Sequence, residues 1–260
     1  MSRLHKPYYR NGDNHRAGAD VSFNDVRKVF GFRSIEIGRW VTKEEQQLAA
    51  NLFFDALCDL ADMLQVPTPV ISLNGNLSLA FGQGGNKYAS AHYNVSIRQL
   101  ALAKNAGGGA LAHEWFHAFD HYIASKAFVK PKRLAFASTL WLADARAQEH
   151  PLNERLFNIF ESMFLADDLV SISPLMVRSV NIDKAMGGYY FAQPPEVAAR
   201  AFEAVLQNHP IKNQFLVAGT KQSNEAQLGA YPDLAEQQSL TERLRDYFSL
   251  LGRAVSAQQA

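Results

Sequence analysis

The sequence predicts an α+β protein, with a small twisted sheet packed on one buried helix and a second part that is mostly helical. Three observations predict it. Short apolar alternations broken by Gly and Asn fill residues 70–103, as in strands and turns. Apolar residues at intervals of three and four flank them, from 43 to 65 and again from about 152 onward. Residues 111–123 are apolar nearly all round, the pattern of a helix inside a protein. The expected organisation is a flexible arm over residues 1–22 and a single domain over 23–260. Within that domain the sheet and buried helix occupy 23–128, and the helical part occupies 129–260.

Composition narrows the class. A chain of 260 residues with 47% hydrophobic and 20% charged residues has the material for a core and reads as globular rather than disordered. A net charge of +1 provides no global field for nucleic acid or an acidic membrane, so neither partner is expected. No apolar run approaches the roughly 18 residues of a membrane span. Residues 1–20 lack the apolar core of a signal peptide. A cytoplasmic location is the expectation. Cys58 is the single cysteine, and its neighbours Leu57 and Leu60 mark it as a small core residue.

Taken in order, residues 1–22 carry Gly12, Gly18 and scattered charges without periodicity, hence the arm. Ile35 and Ile37 alternate, which predicts a short strand. Thr42 and Glu45 have the spacing of a capping box, and Leu48, Leu52, Ala56, Leu60 and Leu64 follow on one face, predicting a helix over 43–65. Val70-Ile71-Ser72-Leu73 reads as a strand, Leu77, Leu79 and Phe81 as a second. Residues 89–95 and 99–103 suggest one or two more, and His92 among them reads as a hydrogen-bonded structural group. Gly82, Gly84 and Gly85 make a turn without a phosphate-loop spacing. Gly107-Gly108-Gly109 reads as the loop before the buried helix. Residues 152–168 form a core-facing helix on which Glu161 reads as a solvated charge, and 171–190 read as irregular. Pro195 suits the first turn of a helix packed through Val197, Ala198, Ala201, Phe202 and Val205. Leu240, Leu244, Phe248 and Leu251 line a final helix.

The chemistry lies in His113-Glu114-Trp115-Phe116-His117, an HExxH pattern. On a helix His113 and His117 stack on one face, where both imidazoles can ligate one zinc ion. Glu114 then points beside the pair and can take a proton from a metal-activated water. Two histidines and a glutamate in a buried helix need partners, and a metal supplies them. The third ligand is expected at Glu196, in the first turn of the later apolar helix. Glu203, two turns on, is the less favoured alternative. His121 is not expected to be a third ligand, because one straight helix rarely wraps three donors around one ion. Asp120 and His121 are instead the candidates for supporting a ligand histidine from behind, and Asp120 otherwise only ends the helix.

Two resemblances follow. HExxH with a downstream Glu is similar to the gluzincin branch of the zincin metallopeptidases. Glu196 followed by Val197-Ala198-Ala199-Arg200-Ala201-Phe202 resembles the third-ligand helix of lethal-factor-type toxins. In those toxins a tyrosine seven residues before the Glu stabilises the tetrahedral intermediate. The same count lands here on Tyr189, with Tyr190 beside it. Arg200 stands where the toxins carry a second Glu, so the surroundings of the ligand must differ.

The chain also resembles the first of the large polyvalent-protein-associated domains of phages and conjugative elements. The residues carrying this are Phe30-Gly31-Phe32-Arg33, Glu36 to Val41, Leu79-Ala80-Phe81-Gly82, Ala91-His92-Tyr93, Leu111 to Tyr122, and Ala199-Arg200-Ala201-Phe202-Glu203. They imply a zincin-like fold over about 24–250 and a mobile-element context. An edge strand within 89–103 is expected to bind an extended substrate by strand addition. The expected function is a zinc-dependent endopeptidase acting on a protein or peptide substrate. Its rival is a zinc-stabilised, non-catalytic module that inhibits or recruits a host protein.

Overall fold

The computed structural model describes residues 3–83, 91–103 and 108–259. The expected turn at Gly84 and Gly85, the start of the strand at Ala89, and Gly107 lie outside the described residues. The chain is mixed α+β, with one four-stranded sheet and ten α-helices among those residues. Its contacts group it into two compact units, with the break on the buried helix at 118/119. Residues 1–118, 209–218 and 252–260 make the first unit; residues 119–208 and 219–251 make the second.

The first unit holds the sheet. Strands β1 (Ile35–Ile37), β2 (Ser78–Phe81), β3 (Ala91–Asn94) and β4 (Gln99–Leu102) lie in the order β1-β2-β4-β3. β1, β2 and β4 are parallel, with Ile35 opposite Leu79 and Leu79 opposite Leu100. β3 runs antiparallel at the edge, with Tyr93 opposite Leu100. β2 is buried on both faces, as parallel strands are. Helix α1 (Phe23–Phe30) precedes β1. The sequence reading passed over it, although Ser22 and Asp25 close a capping box and Gly31 ends it at φ 73°.

Helix α2 (Lys43–Leu64) runs as expected, and the Thr42–Glu45 capping box is formed. The expected strand at 70–73 is instead helix α3 (Thr68–Ile71). Pro67 and Pro69 preset its first turn, and Leu73 and Asn74 close it at φ 55° and 53°. Phe23, Phe53 and Phe81 meet at ring distances of 5.7–6.1 Å, and Phe215 joins Phe53 at 5.4 Å. Cys58 is buried, and burial beside Asp62, Asp55 and Asp59 pushes its thiol up to about 12, as befits a core residue rather than a nucleophile.

Residues of the expected arm make specific contacts. Asp59, fully buried, accepts Arg10 Nε and Nη2, each at 2.7 Å, and Asn213 Nδ2 at 2.7 Å. Arg16 forms two bonds to Asp55, and Leu4 is buried. Counting charges without pairing them hid these contacts. The Asn213 side chain in turn accepts the N–H groups of Phe215 and Leu216.

Helix α4 (Leu111–Ala127) carries the HExxH pattern and runs from the first unit into the second. Its entry is pinned by distant chain. Gly109 N–H donates to Phe215 O at 2.8 Å, Ala112 N–H to Leu216 O at 3.0 Å, and Gly108 N–H to Tyr8 Oη at 2.8 Å. A Cβ on Gly108 would lie 2.5 Å from Phe215 Cα, so the close approach requires glycine. The run Phe215-Leu216-Val217 is therefore buried backbone support for α4.

The second unit contains α5 (Ala137–Leu142), α6 (Pro151–Phe164), α7 (Pro174–Met186), α8 (Pro194–Asn208), α9 (Asn224–Gln227) and most of α10 (Leu234–Gln259). α7 replaces the expected irregular stretch. Ser173 caps it, Pro174 opens it and Gly187 closes it at φ 66°. Phe119, Phe202, Tyr247 and Phe248 form its aromatic core. A cavity of about 550 Å³ in this unit has Glu161, Asp167, Asp233 and Glu236 in its wall and none of the candidate site residues. No helix among the described residues is long and apolar enough to cross a membrane.

Candidate metal centre

Residues Trp115, Phe116 and Ala118 bury α4 in the protein. The Trp115 Nε1–H donates to Ile71 O at 2.9 Å, which fixes the rotation of the helix about its axis. His113 and Glu114 are left half-buried, and His117 is 7% exposed. One helical turn apart, the two imidazoles lie edge to face, with ring centres 4.7 Å apart and Nε2 atoms 3.1 Å apart. A tetrahedral zinc with Zn–N bonds of about 2.0–2.1 Å separates two such nitrogens by roughly 3.3 Å. The pair therefore fits the donor spacing of that ion. Glu114 points to the sheet: its Oε2 accepts the backbone N–H of Tyr93, on the edge strand β3, at 2.7 Å. His92, the other ring on β3, is exposed.

Further along α4, in the second unit, Asp120 is fully buried and both its oxygens bind Ser138, at 2.8 Å to its N–H and 2.5 Å to its hydroxyl. That contact ties α4 to the start of α5. The His121 ring nitrogen Nε2 lies 2.8 Å from Arg133 O, and its ring packs on Phe136. These two residues thus hold the loop after α4.

The second unit also carries Glu196 in the first turn of α8, with its side chain 16% exposed. Arg200, one turn later, is 3% exposed, and its Nη1 is 3.8 Å from Glu196 Oε2. Burial pulls the Arg200 guanidinium below its ordinary value, and Glu196 foremost opposes that shift. Glu203 is buried and accepts the Tyr231 hydroxyl at 3.4 Å; burial raises that phenol. Tyr189 and Tyr190 sit in the turn before α8, 69% and 51% exposed.

Asp183, near the end of α7, cradles that turn. Its Oδ1 accepts the N–H groups of Tyr190 and Phe191 at 2.9 Å, and its Oδ2 accepts Ala192 N–H at 2.7 Å. Burial raises this carboxyl, but the three bonds outweigh burial and hold it below the usual carboxylate range. Sequence reasoning missed Asp183, although an Asp just before Gly187-Gly188 is a visible signal for a loop cradle. It also missed the Tyr93 amide, which no pattern could mark, because every residue but proline carries one.

No curated protein and no solved structure matches the chain. Residues 182–255 match the model of the family described as large polyvalent protein-associated domain 1, a segment that carries Asp183, Tyr189, Tyr190, Glu196 and Arg200 but not the HExxH helix.

Proposed function

We propose that the protein is a zinc-dependent endopeptidase with the zincin-like fold of the gluzincin class, acting on an extended protein or peptide segment in a phage or mobile-element setting. The observation that carries this reading is the pairing of two features on one helix. The Nε2 atoms of His113 and His117 stand at zinc-ligand spacing, and the Glu114 carboxylate beside them engages the edge of the sheet. His113 and His117 are two ligands in this reading, and Glu196 is the third. Zinc, when bound, acidifies a water and polarises the scissile carbonyl. Glu114 accepts the proton of the attacking water and delivers it to the leaving amine. Tyr189 or Tyr190 donates a hydrogen bond to the developing oxyanion. β3 offers an edge to which a substrate strand can add.

One observation favours the rival reading, a zinc-stabilised module that binds a host protein without cutting it: the family match stops short of the HExxH helix. Elemental analysis of the wild-type chain and of His113→Ala tests the centre itself. About one zinc per wild-type chain, lost in the variant, supports it. Wild-type protein that takes up no added zinc refutes both readings.

A further inference from the structure

We infer that Arg200 is a positioning residue: one buried guanidinium fixes the Glu196 carboxylate and the Tyr189–Tyr190 turn with respect to each other. The inference rests on Glu196 being a zinc ligand, as proposed above. Arg200 uses each arm of its fork differently. Nε donates to Ala230 O at 3.1 Å, Nη2 donates to Phe191 O, and Nη1 faces Glu196. The guanidinium carbon lies 6.0 Å from the centre of the Tyr190 ring and 5.2 Å from that of Phe191. Asp183 holds the same turn from its other side through the N–H groups of residues 190–192. The turn is thus clasped between an anion that takes its amides and a cation that takes a carbonyl.

Stability alone does not favour this arrangement. The guanidinium sits beside an apolar cluster of Ile182, Phe191 and Ala230. Exchanging a buried ion pair for apolar residues of like volume is often neutral or stabilising. What an arginine adds there is direction, because its rigid planar fork holds two carbonyls through Nε and Nη2 while Nη1 faces the Glu196 carboxylate, a fixed geometry that a lysine ammonium lacks. Ligating carboxylates are oriented by just such outer contacts. All the residues involved, from Ile182 to Ala230, fall inside the segment that matches the family model.

The experiment compares full-length wild type, Arg200→Lys and Arg200→Met. Zinc affinity is measured by competition with a chromophoric chelator, and amide exchange at residues 190–192 is measured on metal-free protein. Arg200→Lys keeps the charge and loses the fork. It is expected to bind zinc about 10- to 100-fold more weakly and to lose protection at the three amides. Arg200→Met is expected to do the same or worse. If it fails to fold, the lysine variant decides. Wild-type zinc affinity in folded Arg200→Lys overturns the inference. A wild-type chain that takes no zinc removes the metal reading instead, and unchanged exchange in Arg200→Lys then removes the clasp as well.

Discussion

The Glu114 carboxylate and the Tyr93 backbone N–H are joined by a 2.7 Å hydrogen bond, which links the HExxH helix to the edge strand of the sheet. An amide that donates to Glu114 is turned away from the ladder with β4.

Glu114→Gln keeps an oxygen acceptor for that amide and loses the base. Zinc content is expected to stay at the wild-type level, while peptide hydrolysis falls by about 10²–10⁴-fold. Glu114→Ala also strips the amide of its acceptor and should lower stability by about 1–3 kcal/mol, read from urea denaturation. Hydrolysis undiminished in Glu114→Gln sinks the mechanism.

The exposed tyrosines are separable by single hydroxyl deletions. One of Tyr189→Phe and Tyr190→Phe is expected to lower kcat by about 10²–10³-fold with little change in KM, as removal of an oxyanion donor does. The other should behave as wild type. Two variants with unaltered kcat would leave the oxyanion without a tyrosine donor.

Asp183 makes the stability pH-dependent. Its folded carboxyl sits below the ordinary value, so its contribution is fully present above the unfolded value near 3.9. That contribution is lost as pH falls through the lower folded value. Asp183→Asn should be less stable than wild type by about 1–3 kcal/mol at neutral pH. The gap should close in acid, below about pH 4. Thermal melts of both proteins between neutral and acid pH check this, and a constant gap speaks against the cradle.

Asp59→Ala removes the shared acceptor of Arg10 and Asn213. A loss of about 1.5–3 kcal/mol is expected, the scale for hydrogen bonds to a charged group. Trypsin should then cut at Arg10 and Arg16 in otherwise native protein. Resistance equal to that of wild type would mean that the arm is held by other contacts.

Where the chain announces its structure, it does so through short-range signals. The capping box at Thr42 and Glu45, the alternation at Ile35 and Ile37, and the i, i+4 histidines are all local, and each was legible. Ser173-Pro174 and Gly187 were equally local punctuation for α7, but weak periodicity between them concealed the helix. Pro67 and Pro69 outweighed the β-branched residues at 70–71. The ties that hold the arm join residues as far apart as Asp59 and Asn213, and no spacing rule reaches that far. The same limit applies to Arg200: its sequence position marked a departure from the toxin pattern, but only the fold reveals Ala230 and Phe191 as its acceptors.

The pinning of Gly109 and Ala112 by Phe215 and Leu216 sets an order of events during synthesis. The HExxH helix emerges from the ribosome about a hundred residues before the segment that completes its entry. Until then the Gly109 and Ala112 amides lack the carbonyls that hold them, and the nascent first unit waits for a distant return of the chain. The family-matched stretch, 182–255, contains that returning segment together with much of the second unit, so its two portions belong to different compact bodies. Expressed by itself, the stretch would lack the residues that each portion packs against, and the boundary of the sequence family is not a boundary of folding.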